Sequence, residues 1–127
     1  MSNILLWIAV ALPLTSLPTK DEPGKIAARY GIGQAINLGS TYSLKAIVHR
    51  VRPDGSDADS FYSGHTSASF TASGTLCSVD FDAWCVSSLL LSSSVGIFRV
   101  VEDRHYPSDV LVGVALGFTT GFLSWRF

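Results

Sequence analysis

Residues 83–125 read AWCVSSLLLSSSVGIFRVVEDRHYPSDVLVGVALGFTTGFLSW, and this stretch decides the fold. Ala83 to Phe98 and Val110 to Trp125 each run 16 residues without a charge, joined by a polar link that carries Arg99, His105 and Asp109. A hydrocarbon core of about 30 Å takes about 20 apolar residues, so each run is slightly short. Trp84 and Trp125 extend them at the interfaces. Pro107 suits the first turn of the second run, where its missing N–H does no harm.

Working outward, three more helices are expected and no strand pattern competes. Asn3 to Leu14 is an apolar stretch with no basic start and no small-x-small cleavage site, hence a retained hydrophobic helix, with a weak signal anchor as the alternative. Asp21 to Gly24 form a polar turn. Lys25 to His49 is a second helix, whose Ala27, Ala28, Gly31, Gly33, Ala35 and Gly39 permit close helix approach in a membrane. Its Gln34, Asn37 and Ser40 are expected to face protein. Val51 to Ser63, rich in Pro, Asp, Gly and Ser, is a loop. A third helix runs from Gly64-His65 to about Ser78, a turn covers Val79 to Ala83, and the last two helices span Trp84–Val101 and Pro107–Trp125. The fold class is therefore all-α: a bundle of about five helices in one domain over residues 1–127, membrane-embedded, with a soluble bundle of buried helices as the competing architecture.

Composition agrees. The chain is 47% hydrophobic and only 15% charged, against about 25% charged in soluble proteins, and its mean hydropathy is +0.34. A formal net charge of −1 argues against a general nucleic-acid-binding field. Cys77 and Cys85 are too few for a disulfide scaffold and match no common zinc spacing. They are expected to be two small buried apolar residues, with a bridge across the turn as the alternative.

If the helices alternate in direction, the end of the second, the start of the third, the end of the fourth and the start of the fifth meet at one end of the bundle. The unusual polar residues sit at those four places. Lys45 and Arg52 could grip a dianion, although a basic helix end is by itself commonly just solvated. Ser63 and Gly64 precede a helix whose N–H groups favour an anion, and the adjacent His65 has a proton to give near neutrality. A lone Ser-Gly-His is common and proves little. His105 and Asp109 are four apart, so the carboxylate can hold one imidazole nitrogen and leave the other as a nucleophile, with Arg99 for phosphoryl oxygens; such pairs are also frequent as surface pairs. Convergence of three such clusters near lipid is the stronger signal, because these groups are costly there without a purpose.

Together the three stretches resemble the signature of the type 2 phosphatidic acid phosphatase superfamily: Lys-x6-Arg-Pro, then Pro-Ser-Gly-His, then Ser-Arg-x5-His-x3-Asp. This sequence has Lys45-x6-Arg52-Pro53, Ser63-Gly64-His65 and Arg99-x5-His105-x3-Asp109, in that order. The resemblance covers about Lys25 to the C-terminus. Two positions depart: Tyr62 replaces the usual proline and Phe98 the usual serine. The first loosens the turn before the phosphate loop, and the second removes a hydrogen bond to phosphate. Members often carry more spanning helices than this chain, so the resemblance implies a missing N-terminal piece.

The resemblance implies a metal-independent phosphatase with no cofactor, whose site vanadate or phosphate could occupy. His105 would attack phosphorus with help from Asp109, and His65 would protonate the leaving oxygen. Lys45, Arg52, Ser63, Gly64 and Arg99 would bind the phosphate, and water would cleave the phosphohistidine. His49, Arg50 and Arg104 match no family position and count as surface charges; Asp54, Asp57 and Asp59 are solvated loop residues. The implied partner is a lipid phosphate substrate in the membrane, with no nucleic acid. Phosphatidic acid, phosphatidylglycerol phosphate, a polyprenyl pyrophosphate and a lipid A phosphate all fit. Three rivals stay open: a vanadium-dependent haloperoxidase, a soluble secreted or periplasmic acid phosphatase, and a non-catalytic membrane scaffold. Lys20, Lys25 and Arg126 fall at the end away from the site and mark it as cytoplasmic, which puts the site on the non-cytoplasmic side and disfavours a Cys77–Cys85 bridge.

Overall fold

The computed structural model describes residues 2–48, 53–55, 64–102 and 105–124. Among these are five α-helices and no strand: α1 (Ser2–Ser16), α2 (Pro23–Ile47), α3 (Gly64–Val79), α4 (Ala83–Val101) and α5 (Pro107–Ser124), with a 3-10 turn at Leu17–Thr19. The expected helices are all present, with ends displaced by one or two residues. α1 continues past Pro13 to Ser16, its last turn held by the Thr15 and Ser16 hydroxyls donating to the carbonyls of Leu12 and Pro13 at 2.8 and 2.7 Å. α2 starts at Pro23, whose fixed φ suits a first helical position, and stops at Ile47 because Val48 is extended.

α3 lies at the centre and packs against α1, α2, α4 and α5. Every residue from Ser69 to Leu76 is buried, as are Thr66 and Ser67. This explains how so polar a helix belongs in so apolar a chain: its hydroxyls meet protein and find partners there. Thr71 donates to the Ser67 carbonyl at 2.8 Å, Ser73 pairs with Ser88 and Ser92 at 2.8 Å each, and Ser92 donates to the Ser69 carbonyl at 2.9 Å. The outer helices instead turn large apolar side chains outward, among them Ile4 and Trp7, Leu38 and Ile47, Leu90 and Ile97, and Leu111. A polar interior inside an apolar rind is the arrangement that suits lipid. Two helices, α4 and α5, are long and apolar enough to cross a membrane.

The closest approach in the bundle is between α3 and α5. Asp109, Gly113, Gly117 and Gly121 recur every fourth residue and are all buried. A Cβ on Gly117 would overlap the Ser67 carbonyl, and one on Gly121 the Thr71 carbonyl. Only glycine lets the two backbones touch there. The small residues of α2, expected to play this part, mostly do not. A Cβ on Gly33 would come within 2.9 Å of the Ser124 hydroxyl, but one on Gly31 or Gly39 would meet nothing within 4 Å. Of the polar residues on that helix, Asn37 is buried and Gln34 half-buried, as expected, whereas Ser40 is exposed. A 25-residue helix turns only one face inward, and Ser40 is off it.

The far end of the bundle corrects two expectations. Cys77 and Cys85 are bridged, not separate buried thiols, their Cα atoms 4.7 Å apart. The short turn folds the last turn of α3 back on the first turn of α4, which brings the two residues together. Lys20 is no solvated juxtamembrane charge: its side chain is 4% exposed, with Nζ 2.6 Å from Asp82 and 3.8 Å from Asp80. Lys25 lies 3.9 Å from Glu22, and Arg126 is outside the described residues. Two of the three cations used to mark a cytoplasmic end are thus offset by carboxylates. Asp82 also caps α4, accepting from the N–H groups of Trp84 and Cys85 at 3.0 and 3.1 Å. Burial works against its charge, but the Lys20 hydrogen bond and charge and these two N–H groups outweigh it, holding the carboxyl below its ordinary value.

Two outcomes follow for thermal unfolding in detergent. Gly121→Val forces α5 off α3 and is expected to cost more than about 3 kcal/mol, whereas Gly39→Ala changes stability by less than about 1 kcal/mol. Asp82 has a lowered folded value, so its contribution is present above the ordinary carboxylate range and disappears as pH falls through that lowered value. Asp82→Asn is therefore expected to lower the melting temperature at pH 7, and the gap to the unaltered protein is expected to close below about pH 4.

Candidate active site

Helix direction brings the first turn of α1, the last turn of α2, the first turn of α3, the last turn of α4 and the link before α5 to one end of the bundle. There they enclose a cavity of about 560 Å³. Its polar end is formed by Lys45, Gly64, His65, Arg99 and His105, and its walls by Leu6, Trp7, Val10, Leu38, Tyr42 and Ala68. Among the described residues, the lining contains two cations and two imidazoles and no carboxylate, so its field favours an anion. The same residues include no group of three His, Cys, Asp or Glu side chains placed to hold a metal.

The innermost part is a chain of three side chains. Arg99 comes from the last turn of α4, His105 from the link, and Asp109 from the first turn of α5. They are 7%, 2% and 0% exposed, so their nearest partners are protein groups and not bulk water. Asp109 Oδ2 accepts from the Tyr106 N–H at 2.9 Å and lies 3.8 Å from His105 Nδ1. His105 precedes α5, so this is not a pair along one helical face; the carboxylate caps the helix and turns back toward the imidazole. Arg99 Nη2 lies 3.3 Å from His105 Nε2. A guanidinium can only donate, so Nε2 carries the lone pair and the ring proton sits on Nδ1, toward Asp109. That tautomer leaves a lone pair on Nε2. An arriving phosphate would take over the Arg99 N–H groups and uncover it.

His65 stands half-buried in the first turn of α3, the end of a helix that favours an anion. Gly64 beside it passes close to α2: a Cβ would come within 3.2 Å of the Thr41 methyl and 4.0 Å of Lys45. Lys45, in the last turn of α2, is half-buried with its charge at the rim. Thus Lys45, Gly64, His65, Arg99, His105 and Asp109, from four parts of the chain, are brought together. Arg52, Ser63 and Tyr62 lie outside the described residues, as do His49, Arg50 and Arg104. Phe98 is half-buried beside Arg99.

Other neighbours were not foreseen. Leu6, Trp7 and Val10 of α1 and Leu38 and Tyr42 of α2 line the cavity, and Asn3 Oδ1 lies 2.7 Å from His65 Nε2. Beneath the floor, Gln34 donates to the Ala68 carbonyl at 3.0 Å and Ser67 donates to Asn37. The polar residues of α2 gave a signal in the sequence; the α1 residues gave none, because nothing local says which helix α1 packs against.

Comparison with known proteins agrees with this geometry. The sequence model of the PAP2 superfamily matches residues 26–127, and the chain belongs to that superfamily. It is 36% identical over 106 residues to a lipid A 1-phosphatase of Porphyromonas gingivalis, across 80% of this chain and 24% of that protein. The chain thus spans about a quarter of the length of that relative. No solved structure gives a significant match.

Asp109→Asn keeps size and shape but removes the charge that holds the His105 tautomer. Phosphate release is expected to fall by about 10²–10⁴-fold with little change in melting temperature; undiminished release would show that the carboxylate does not act through His105.

Proposed function

We propose that this chain is a phosphatase that removes a phosphate, or the terminal phosphate of a pyrophosphate, from a membrane lipid through a phosphohistidine on His105. The observation that carries this is the buried Arg99–His105–Asp109 chain, with the imidazole lone pair on Nε2, at the cationic end of a cavity whose remaining walls are mostly apolar, with Gln34 and Thr41 as polar members. Such a cavity suits a ligand with a phosphate at one end and hydrocarbon behind it.

In the first step His105 Nε2 attacks phosphorus, a P–N bond forms, and the bond from phosphorus to the leaving oxygen breaks. His65 gives that oxygen its proton. Lys45 and Arg99, with the N–H groups at the start of α3, hold the phosphoryl oxygens as their charge redistributes. Arg52 and Ser63 join them by their place in the family motif. Neutral His65 then takes a proton from water, the water oxygen bonds to phosphorus, the P–N bond breaks, and inorganic phosphate leaves. His105 and His65 end as they began. Every step uses the chain's own groups, and catalysis comes from positioning and electrostatics.

The substrate class is drawn from the apolar walls and from the relative, whose name assigns it to the 1-phosphate of lipid A. A glycolipid bearing a sugar 1-phosphate is the first candidate, ahead of phosphatidic acid, phosphatidylglycerol phosphate and polyprenyl pyrophosphate. Two apolar helices of spanning length and the outward-facing Trp7, Leu38 and Tyr42 support a site at the membrane surface.

The test is phosphate release from a panel of these lipids by the detergent-solubilised chain, with and without chelator, beside His105→Ala. We expect turnover that survives chelation and falls by at least about 10³-fold in the variant. Equal release by both proteins would remove His105 from the mechanism. Vanadate-dependent peroxidase activity without phosphate release would replace this function with the haloperoxidase alternative.

A further inference from the structure

The superfamily match begins at residue 26, in α2, so α1 lies wholly outside it. Yet α1 meets the cavity along one face: Asn3, Leu6, Trp7 and Val10 follow helical spacing, and the last three form cavity wall. Asn3 opens this stripe in the first turn. It is the last polar side chain before an apolar run that extends from Ile4 to Leu14. Its partner is His65, with Oδ1 at 2.7 Å from Nε2.

We infer that Asn3 is a positioning residue for the reaction proposed above: its carboxamide oxygen accepts the Nε2–H of His65, fixing the tautomer and orientation of that ring. The inference rests on the phosphatase function only for its catalytic consequence. A carboxamide oxygen accepts and never donates, so the hydrogen lies on Nε2. The nitrogen left to exchange a proton is Nδ1. The imidazolium gives its Nδ1 proton to the leaving oxygen and keeps Nε2–H on Asn3. Neutral His65 then offers the Nδ1 lone pair to the attacking water and recovers the proton. One hydrogen bond holds through both steps, as Asp109 holds the opposite ring. The two catalytic imidazoles thus have unlike supports: a buried carboxylate under the nucleophile and a neutral amide on the acid.

A neutral acceptor holds the ring in place and favours the charged form only modestly, which keeps the proton transferable. Among the described residues, the titratable and charged groups that share the cavity with His65 are Lys45 and Tyr42 of α2, Arg99 of α4 and His105 ahead of α5. α1 presents none on this face. Changes at Asn3 therefore alter the surroundings of His65 without altering those charges.

The test uses the full chain in detergent micelles with Asn3→Leu and Asn3→Asp, read by NMR titration of the His65 ring and by the pH profile of phosphate release. In Asn3→Leu the His65 midpoint is expected to fall, kcat to drop about 10-fold with KM nearly constant, and the alkaline limb of the profile to move to lower pH. Asn3→Asp restores an acceptor and is expected to move both the midpoint and the alkaline limb upward. The same His65 midpoint in all three proteins would overturn the inference, whatever the turnover. Shifted midpoints in a chain that releases no phosphate would leave the Asn3 contact standing and bring down the phosphatase function instead. A loss in Asn3→Leu that is equal at every pH, without a shifted midpoint, would reduce Asn3 to a packing residue.

Discussion

The contact on which the rest depends is backbone against backbone, where Gly117 and Gly121 of α5 lie on the carbonyls of Ser67 and Thr71 of α3. It fixes how far α5 can slide along α3. Gly117 and Gly121 share a stripe with Asp109, two and three turns away, so seating the glycines also sets the height of Asp109. The carboxylate in turn caps the start of α5 and faces the His105 ring. Ser67, the residue under Gly117, is two residues beyond His65. One close approach therefore helps to bring both imidazoles to the same cavity, His105 at its inner end and His65 toward its mouth. In lipid, where apolar side chains gain little by leaving hydrocarbon for protein, such packing is a main source of specificity.

Around this contact the chain is arranged as a polar centre in an apolar coat. Serines and threonines of α3 donate to carbonyls one turn back and pair with Asn37 of α2 and the serines of α4. The network leaves few hydroxyls facing outward and holds α3 with little hydrophobic core of the kind a soluble bundle uses. At the far end, the Cys77–Cys85 bridge and the Lys20–Asp82 pair tie the α3–α4 turn to itself and to the chain after α1. Among the described residues, the cavity that holds the two imidazoles lies at the near end, with α1 and α2 in its walls. There Asp109 faces the His105 ring, and Arg99 donates to its other nitrogen. In the proposed reaction a phosphate replaces the contact between Arg99 and His105 and gives the guanidinium an anionic partner.

Much of this was legible in the residues. Helix number and limits followed from uncharged runs, Pro107 and the glycine- and proline-rich loop, and the structure moved the ends by a turn or less. Lys45, Gly64, His65, Arg99, His105 and Asp109 were legible because cations and imidazoles stand out in an apolar chain and because alternating helices leave them one end at which to meet. The errors came where a sequence gives only residue types. Gly31 and Gly39 are as small as Gly117 and Gly121, yet face away from other helices. Lys20 resembles any juxtamembrane lysine until two aspartates sixty residues later fold over it. Cys77 and Cys85 were weighed as lone thiols, but the turn between them makes them neighbours.

By itself, then, the sequence determined that this is an apolar all-α chain with a phosphate-handling motif, since hydropathy and the order of motif residues are properties of the chain in one dimension. The tertiary structure alone decided which glycines touch and which nitrogen of His105 carries the lone pair. It alone decided that α1, with no motif of its own, supplies Asn3 and the apolar wall. Those are consequences of which faces meet. Helices of similar composition can be rotated about their axes with little change in local energy, so only the packed bundle selects the face each one presents.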